Sequence, residues 1–595
     1  MKIKNTIIHI LLISALFGFG TSFLAYADSD KADATGAQAF AGYDQAAFHP
    51  VVGKNGMVAA QEKVAAQVGR DILAKGGNAV DAAIATGFAL SVTFPQAGNL
   101  GGGGFMLISL AGQDDVIAID YREMAPSGAS RDMFLGDDGN VDNQKAQFSH
   151  LSAGVPGTVM GYLDALDKYG TMSRKEVMAP AIKLANKGAL VSYGLAQTLA
   201  AKKDYMSKDK SSLEYFYKKG GALYRQGDVL RQKDLAMTLR RISHKGRAGF
   251  YEGRTAELLT AEMKRGGGLI TMADLKNYHT VTREAVSGTY RGYKIFSMPP
   301  PSSGGVHVVQ MLNILEGYDL RAMEHNSAEY LHVLIESMRR AYADRSKYLG
   351  DPDYFEVPIK ELTDKAYADR LRRSIDPNKA SKSTDILPGR ELPKESPATT
   401  HFSVMDKWGN AVSNTTTLNF SYGSGYSVDG AGFILNNEMD DFSSKPGSPN
   451  GYGLIGGEAN KIEPGKRPLS SMTPVIVKKN GEAYFISGSP GGSTIITVVL
   501  QNILNAIDFD MNAMEAVTAP RIHHQWLPDV VITEPGISAD TIAILEKRGF
   551  IFEKDKGGKY RHTTLGRANA IMHEGGFFFG AADLRSPTSG AAAVQ

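Results

Sequence analysis

Two adjacent threonines, Thr399 and Thr400, follow a polar, proline-containing segment and precede a strand-like run. A threonine hydroxyl is a weak nucleophile unless a base lies beside it. At a chain N-terminus the residue's own α-amine supplies that base, because it titrates near pH ~8 and can accept and return a proton. Such a terminus requires a cut between Ala398 and Thr399. The alternative interpretation is a loop joined to a threonine-rich strand.

The segment before this junction, residues 381–398, has little to pack and indicates an exposed linker. A flexible linker can enter a processing site and leave it afterwards. Ala398 is small, so it crowds the carbonyl that the Thr399 hydroxyl would attack very little. The strand that follows would hold the nucleophile rigidly. We therefore predict that the chain cuts itself at the Ala398/Thr399 bond.

The composition excludes several other chemistries. The chain has 595 residues, 43% of them apolar and 22% charged, which is typical of a globular protein with a large core. Its net charge of +2 gives no indication of nucleic-acid binding. It contains no cysteine, which excludes disulfides, thiol nucleophiles and cysteine-bound zinc. Any nucleophile must therefore be an oxygen or a nitrogen.

The N-terminus has the pattern of a secretory signal peptide. Lys2 and Lys4 precede a mostly apolar stretch over residues 6–24, and "AYA" at 25–27 is an A-x-A cleavage site before Asp28. We predict removal of residues 1–27 and export to the periplasm, with full secretion as an open alternative. An uncleaved membrane anchor is the competing interpretation. No later run reaches 18 apolar residues, so we expect the mature chain to be soluble and free of membrane.

The periodicity places these residues on mixed elements. Helical spacing runs from Met57 to Pro95 with a break at Gly76 and Gly77, and residues 154–290 are mostly helical in pattern. Strands are predicted after the glycine run at 101–104, through "DDVIAIDYREMAP", and at "YKIFS", with long helices after "PPPSSGG" and over "SAEYLHVLIESMRRAYADRSKYLG". A hairpin around "DKWGN", a strand–glycine loop–helix at "EAYFISGSPGGSTIITVV" and a hairpin at "RANAIMHEGGFFFGAADLR" follow. This order indicates an α+β or layered α/β protein.

Nine blocks together resemble the γ-glutamyltranspeptidase family. They are "GGNAVDAAIA", "NLGGGGFM", "DYREMAP", "GVPG", "PPPSSGG", "TTHFSVMDKWGNAVSNTTTLNFSYGSG", "ILNNEMDDFSSKPG", "GKRPLSSMTPVIV" and "SGSPGGSTI". The resemblance runs from about Ala59 to the C-terminus. It implies an N-terminal-nucleophile hydrolase with an α+β, four-layer αββα sandwich built by both halves of a self-cutting precursor. The implied large subunit is residues 28–398, and the implied small catalytic subunit is residues 399–595.

The family's substrate head carries one carboxylate and one ammonium. Arg122 matches the family's carboxylate clamp, and a guanidinium fork suits a carboxylate in a way that lysine does not reproduce. Without the resemblance, Arg122 is a structural ion pair with Asp120 or Glu123. Ser470 and Ser471 match hydroxyls that donate to the same carboxylate, although paired serines are otherwise turn residues.

The ammonium requires acceptors, and the resemblance assigns them to Asn419, Glu438 and Asp441. A second negative charge beside Asp441 favours an ammonium but carries a repulsion cost. Asp440 is interpreted as structural. The alternative for the whole run "NNEMDDF" is an acidic surface loop.

Gly491 and Gly492 match the family's oxyanion hole, where glycine lets backbone N–H groups turn toward a developing negative charge. A phosphate-binding loop is excluded because no Lys-Ser/Thr pair follows the glycines. Thr417 matches a threonine that hydrogen-bonds the nucleophile; its alternative is an ordinary strand threonine. The run at 101–104 precedes a strand rather than a helix, so it is not a dinucleotide fingerprint, and we interpret it as close packing near the site.

Residues 445–457 match a lid over the glutamyl pocket, with Tyr452 as the covering residue. The lid favours small donors such as glutathione or glutamine. The implied reaction needs no cofactor and no metal: Thr399 takes the γ-glutamyl group as an ester and passes it to water, an amino acid or a dipeptide. His523 and His524 lack a nearby acidic partner at ligand spacing, and His401 is interpreted as packing.

Three alternatives stay open from the sequence. A cephalosporin (glutaryl) acylase shares the scaffold, but its substrate has no α-ammonium and has less use for Glu438 and Asp441 together. A transpeptidase that attaches poly-γ-glutamate to a capsule needs an open groove, which a lid obstructs. A non-catalytic binding protein predicts loss of the nucleophile or of the glycines, and both are present.

Overall fold

The computed structural model describes residues 49–386 and 399–595. The predicted signal peptide, Ala398 and residues 387–397 of the predicted linker lie outside the described residues. The strands are β1 (Val51–Gly53), β2 (Gly56–Ala60), β3 (Gly103–Ser109), β4 (Val116–Tyr121), β5 (Ala189–Leu190), β6 (Val229–Leu230), β7 (Val281–Glu284), β8 (Val286–Tyr290), β9 (Tyr293–Ser297), β10 (Thr399–Asp406), β11 (Ala411–Thr417), β12 (Val475–Lys479), β13 (Glu482–Gly488), β14 (Ile522–His523), β15 (Ile532–Thr533), β16 (Asn569–Glu574), β17 (Phe577–Ala582) and β18 (Gly590–Val594).

Helices connect these strands and cover them. They are α1 (Lys63–Ala74), α2 (Ala79–Thr93), α3 (Asn143–Gln147), α4 (Thr158–Tyr169), α5 (Arg174–Lys187), α6 (Tyr193–Ala201), α7 (Lys203–Met206), α8 (Lys210–Phe216), α9 (Lys233–Lys245), α10 (Ala248–Tyr251), α11 (Gly253–Gly266), α12 (Met272–Asn277), α13 (Gly304–Leu315), α14 (Leu320–Met323), α15 (Ala328–Tyr348), α16 (Ile359–Leu362), α17 (Lys365–Arg373), α18 (Ile495–Ile507), α19 (Ala513–Thr518) and α20 (Ala539–Lys547).

Two large antiparallel sheets form the centre of the described part of the chain. One has the strand order β18-β2-β10-β11-β3-β4-β7, and the other has β1-β17-β16-β13-β12-β9-β8. The sheets face each other through β10 against β16 and β11 against β13. Helices α1, α2 and α4 pack on the outside of the first sheet, and α13, α18 and α19 on the outside of the second. The result is the predicted α+β fold with four αββα layers.

The burial of β10 explains why its sequence does not alternate. Every residue of this strand is buried, because β2 and β11 flank it and other layers cover both faces. Helix α2 is likewise buried all round, as expected of a helix held inside a large protein. Asn78 caps α2 with its side chain, so the helix begins where the sequence predicts. Rigid neighbours on all sides therefore fix the first residue of β10.

Each large sheet contains strands from both sides of the Ala398/Thr399 junction. In the first sheet, β10, β11 and β18 come after the junction, and β2, β3, β4 and β7 come before it. In the second, β12, β13, β16 and β17 come after it, and β1, β8 and β9 before it. The two chain segments are thus hydrogen-bonded to each other along several strands.

Two sequence predictions about elements are wrong in detail. Residues 57–60 were expected to be helical but belong to β2. The segment "MVAA" is extended because it pairs with β10 and β18. Residues 281–290 were expected to continue a helical region but form β7 and β8, which pair with β4 and β9. Pairing with distant strands overrides local propensity in both places. None of the helices in the described ranges is long and apolar enough to span a bilayer.

Candidate active site

Thr399 is the first residue of β10 and is buried, with 6% of its surface exposed. Its partner across the strand pair is Thr417, and their hydroxyl oxygens lie 3.3 Å apart. The backbone N–H of Asn419 donates to Thr417 Oγ1 over 2.9 Å. That bond orients the Thr417 hydroxyl, which in turn holds the Thr399 hydroxyl in one position. The pair is the geometry expected of a positioned nucleophile.

A pocket opens beside this pair and gathers most of the predicted site residues. Its lining includes Arg122, Arg345, Thr399, Thr417, Asn419, Glu438, Asp441, Tyr452, Ser470, Ser471 and Gly492. Gly491 precedes Gly492 but is not part of the lining, and Ala398 lies outside the described residues. The space that remains is about 20 Å³, roughly the room one water needs.

Charged side chains occupy that space. Arg122 Nη1 pairs with Glu438 Oε1, and Arg122 Nη2 lies 2.5 Å from Asp441 Oδ2. Glu123 is more distant, with its Oε2 at 3.7 Å from Nη1, and Asp120 accepts the backbone N–H of Arg122 rather than its guanidinium. Arg122 thus makes a buried ion pair, as the alternative interpretation expected, but its closest partners are the two carboxylates assigned to the ammonium.

The pKa values of these groups are shifted by burial and by one another. Burial alone would lower the pKa of Arg122, but the charges of Glu438, Asp441 and Glu123 together raise it above its ordinary value. Burial raises the pKa of Glu438 well above its usual range, and Glu123 and Asp441 add to the rise against the opposing effect of Arg122. Burial also raises the pKa of Glu123, to about 7. Burial and like charges therefore oppose the ionised form of these carboxyl groups, and Arg122 favours it.

Two buried oxygen atoms in this pocket have no hydrogen-bond donor among the described residues. They are Asn419 Oδ1 and Glu438 Oε2. The rest of each side chain is held firmly: Asn419 Nδ2 donates to the carbonyl of Asn437 over 2.9 Å, and Glu438 Oε1 pairs with Arg122. A buried acceptor without a donor is costly. An ammonium bound between the two would supply the missing donors.

Ser470 and Ser471 lie on the other side of Arg122. The Arg122 guanidinium donates to the carbonyls of Pro468 and Leu469, just before the two serines. Ser470 Oγ accepts the backbone N–H of Met472 over 3.1 Å, which leaves its hydroxyl hydrogen available for a ligand. A carboxylate at this place would meet one guanidinium and two hydroxyls.

The two glycines begin the turn that leads into α18. Gly491 has φ +142° and Gly492 has φ +56°, values that other residues rarely adopt. A 3₁₀ turn from Gly492–Thr494 continues directly into α18, so the positive end of a helix points toward the pocket. A Cβ at Gly492 would overlap the ring of Tyr452. The absence of a side chain at Gly492 therefore leaves room for Tyr452 to line the pocket.

Tyr452 closes the pocket from the predicted lid. Its hydroxyl donates to the carbonyl of Asn419, and its ring packs edge-on against Phe420 with centroids 5.4 Å apart. The lid itself is tied down by Asp440 Oδ2, which accepts the backbone N–H of Gly451 over 2.9 Å. Asp440 therefore holds the backbone of the predicted lid segment.

Three histidines singled out from the sequence have other partners, and His523 is bonded to Thr497 Oγ1 and to Gln525 Oε1. His401 is bonded to Thr415 Oγ1 and to Ser403 Oγ, and burial lowers its pKa to about 3. His401 is therefore a neutral packing residue and no base for Thr399. His524 has an acidic neighbour that the sequence did not predict, since Asp529 Oδ1 lies 3.2 Å from its Nε2. No group of potential metal ligands occurs in the described residues.

Comparison with known proteins agrees with this geometry. The sequence model of the γ-glutamyltranspeptidase family matches residues 65–593. The chain belongs to the γ-glutamyltranspeptidase family. It is 51% identical over 547 residues to the "Glutathione hydrolase proenzyme" of Escherichia coli K12, covering 92% of this chain and 93% of that protein.

Solved structures of the family and its relatives share the fold. A cephalosporin acylase from Bacillus halodurans matches with a TM-score of 0.80 at 28% identity, covering 92% of this chain and 97% of the acylase chain. A γ-glutamyltranspeptidase chain from Helicobacter pylori matches with a TM-score of 0.54 at 47% identity, covering 55% of this chain and 93% of that one. The N-terminal-nucleophile fold predicted from the sequence is thereby confirmed.

One pocket residue of this family member was missed from the sequence. Arg345 lies on α15, is 4% exposed, and donates from Nη2 to Ser471 Oγ over 3.1 Å and from Nε to Ser303 Oγ over 2.9 Å. Burial lowers its pKa to about 10. Its signal was present, since it follows Met338 and Tyr342 at helical spacing on the buried face of α15. A charged residue on such a face needs a partner.

Proposed function

We propose that this chain is a self-processing γ-glutamyltransferase and glutathione hydrolase. One observation supports the proposal: the lining of the pocket beside Thr399 includes donors from Arg122, Ser470 and Ser471 and two acceptors without donors, Asn419 Oδ1 and Glu438 Oε2. A γ-glutamyl group has a carboxylate for the first set and an ammonium for the second. Since the head group is zwitterionic, it can replace the internal Arg122 ion pairs without changing the net charge of the pocket.

The proposed first event is processing. Thr399 Oγ attacks the carbonyl of Ala398, the peptide bond becomes an ester, and water opens the ester. This frees the α-amine of Thr399 and divides the chain into residues 28–398 and 399–595. The interleaved strands of both large sheets support a stable pair of subunits after the cut. We also propose that residues 1–27 are a signal peptide and that the enzyme acts in the periplasm.

The proposed catalytic cycle has two steps. The α-amine of Thr399 takes the hydroxyl proton while Oγ attacks the γ-carbonyl, and the backbone at Gly491 and Gly492 stabilises the oxyanion. The leaving amine takes up the proton, and a γ-glutamyl ester remains on Thr399. Water then releases glutamate, or the amine of an amino acid or dipeptide forms a new γ-glutamyl amide. No cofactor is required in either step.

A glutaryl acylase is the second candidate, because an acylase is among the structures of similar fold. A glutaryl group has no ammonium, so it would leave Asn419 Oδ1 and Glu438 Oε2 without donors. The γ-glutamyl assignment therefore fits the pocket better.

Intact mass and one pair of substrates test the proposal. The purified wild type should give two fragments that join at Ala398/Thr399, whereas Thr399→Ala should give one uncut chain. The wild type should release p-nitroaniline from γ-glutamyl-p-nitroanilide at least about 100-fold faster than from glutaryl-p-nitroanilide, since the latter leaves two buried acceptors unpaired. A folded wild type that stays uncut would contradict the mechanism, and a preference for the glutaryl compound would favour the acylase. Terminal sequencing that begins at Asp28 would test the signal peptide.

A further inference from the structure

One side chain of the predicted lid segment reaches a carboxylate of the catalytic pocket. Asn450 Nδ2 donates to Asp441 Oδ1 over 3.0 Å. Asn450 is half-buried and does not line the pocket itself, and the sequence motifs did not single it out. Any effect of Asn450 on a bound ligand must therefore pass through the residues that it holds.

The other end of the same amide shapes the lid. Asn450 Oδ1 accepts the backbone N–H groups of Tyr452 and Leu454, each over 3.0 Å, and both of those residues line the catalytic pocket. The backbone N–H of Asn450 donates to the Leu454 carbonyl over 3.1 Å, and its carbonyl accepts the N–H of Gly453 over 2.9 Å. This is the turn that asparagine side chains stabilise. Because an amide has both an acceptor and a donor, one side chain holds the turn and Asp441 together.

The bond from Asn450 also limits how Arg122 meets Asp441. Arg122 Nη2 lies 2.5 Å from Asp441 Oδ2, while Asp441 Oδ1 is bonded to Asn450. A guanidinium and a carboxylate frequently form two parallel bonds, and that arrangement is the stronger one. Here the fork of Arg122 is divided between Asp441 and Glu438, and Asp441 contributes one oxygen to it.

We propose that Asn450 is a positioning residue for the binding of the γ-glutamyl donor. The inference rests on the proposed function. Because Asn450 holds Asp441 Oδ1, Arg122 and Asp441 share one bond instead of two, and a zwitterionic head group displaces this weaker internal pair more easily. The same side chain ties Tyr452 and Leu454 to the carboxylate that the ammonium would meet, so the lid and the ammonium site have a common support.

The test is a double-mutant cycle between Asn450 and Arg122, with γ-glutamyl-p-nitroanilide as donor. In Asn450→Ala we expect the donor KM to rise about tenfold, as for one lost hydrogen bond to a charged group. The kcat should change less than about threefold, since donor binding and not the chemical step is affected. In an Arg122→Lys background the same substitution should raise the KM less than about threefold, because lysine cannot make two parallel bonds. The two effects are then non-additive.

Asn450→Ser separates the bond to Asp441 from the shape of the turn. A serine hydroxyl can still accept the N–H two residues ahead, although more weakly, but it is too short to reach Asp441. We therefore expect Asn450→Ser to have the donor KM of Asn450→Ala. Ser448→Ala is the matched control, since Ser448 lies two positions earlier in the same segment and its N–H donates to the Lys445 carbonyl. It should keep the wild-type KM. Intact mass that shows cleavage before Thr399 identifies the variants that fold.

Several results would overturn the role of Asn450. They are an unchanged donor KM in Asn450→Ala, an equal rise in both backgrounds, recovery of the wild-type KM by Asn450→Ser, and an equal rise in Ser448→Ala. If Asn450→Ala does not fold, the cycle is measured with Asn450→Ser. If the wild type releases no p-nitroaniline from the γ-glutamyl donor, the proposed function fails and this inference with it. That failure is distinguishable because it appears before any variant is made.

Discussion

Arg122 and Glu438 form an ion pair with both side chains 1% exposed, in the pocket that begins at Thr399. The two residues are 316 positions apart. Isolated buried ion pairs add little to stability, because desolvation offsets the attraction. Here the pair keeps two opposite charges neutralised inside the pocket. Under the proposed function, a zwitterionic γ-glutamyl group would bind by exchanging one set of ion pairs for another.

Arg122→Lys should impair binding of the donor far more than processing. A lysine keeps the charge but cannot present two parallel N–H groups to a carboxylate. We expect the KM for γ-glutamyl-p-nitroanilide to rise about 10- to 100-fold, with cleavage at Ala398/Thr399 retained. Arg131→Lys is the matched control, since Arg131 pairs with exposed Glu458 away from the pocket. An unchanged donor KM in Arg122→Lys would leave Arg122 a purely structural residue.

Thr417→Val should slow the reaction by removing the hydroxyl 3.3 Å from Thr399 Oγ1. Valine has nearly the same shape, so the strand pair should persist. We expect kcat to fall about 10- to 100-fold, in the range for loss of a positioned proton partner, and cleavage to be delayed. Both are measured by stopped assays and by intact mass over time.

The control for that substitution is Thr400→Val, on the neighbouring strand β10 next to Thr399. Thr400 Oγ1 is buried and without a hydrogen-bond partner in the described structure, so its removal should be neutral or slightly stabilising. If Thr400→Val slows processing as much as Thr417→Val, the effect belongs to the strand and not to the hydroxyl pair.

The sequence predicts local elements well where one pattern dominates. The hairpin β10–β11 around "DKWGN" and the strand–loop–helix at β13 and α18 lie where the periodicity places them. The Asn78 cap and the glycine-led turn before α18 are likewise local signals. Short-range hydrogen bonding determines these features, so a single stretch of sequence contains the necessary information.

The contacts missed from sequence arise either from distant pairings or from irregular loops. Arg345 reaches Ser471 across 126 positions, and Asp529 meets His524 only through an irregular loop. The order of strands in both sheets interleaves the two halves of the chain, which no local periodicity encodes. The roles of Arg122 and Glu438 came from the family resemblance; their mutual ion pair did not, because a motif match names residues without giving their contacts.

Asp440→Asn should change how stability depends on pH. Burial first, and the charge of Asp441 second, raise the pKa of Asp440 to about 7. A raised carboxyl pKa means that the folded state binds a proton more tightly than the unfolded state. The free energy of unfolding therefore falls as the pH rises from about 4 to about 7, by at most about 4 kcal/mol. Asn removes this slope, at a roughly constant cost of ~1 kcal/mol for one lost hydrogen bond.

The measurement is the urea midpoint between pH 4 and pH 8, in a Thr399→Ala background so that subunit dissociation does not enter. The urea midpoint of Asp440→Asn minus that of its parent should increase as the pH rises and then level off above pH 7. Asp138→Asn is the control, since Asp138 is exposed and hydrogen bonds from Asn140 lower its pKa. If the urea midpoints of Asp440→Asn and its parent change with pH in parallel, the pKa of Asp440 is not raised in the folded state.

Arg345→Met should weaken donor binding through Ser471. The guanidinium fixes Ser471 Oγ and Ser303 Oγ at once, so its loss lets the Ser471 hydroxyl, a proposed donor to the substrate carboxylate, rotate away. We expect the donor KM to rise about tenfold with kcat changed less than threefold, the split expected when ground-state binding is lost. Arg345→Lys should recover part of the KM. An equal loss in kcat and in kcat/KM would instead indicate that Arg345 stabilises the transition state.

Gly492→Ala should damage the enzyme by a steric route that a second substitution can relieve. A methyl group at Gly492 would overlap the ring of Tyr452, and the φ of +56° adds strain. We expect kcat to fall about 100- to 1,000-fold, as for loss of one oxyanion donor. Tyr452→Ala alone should raise the donor KM, because the lid loses its bond to the Asn419 carbonyl, but should leave kcat within about tenfold.

The double variant separates collision with the lid from distortion of the oxyanion turn. If the collision dominates, Gly492→Ala/Tyr452→Ala will have a higher kcat than Gly492→Ala, and the two effects will be strongly non-additive. If the strained backbone at Gly492 dominates, removing the ring will recover nothing and the losses will add. Tyr452→Phe serves as the control, since it keeps the ring that causes the overlap and should give no recovery. Because Gly492 and Tyr452 are in contact, additive losses would show that the lid and the oxyanion turn act independently during catalysis.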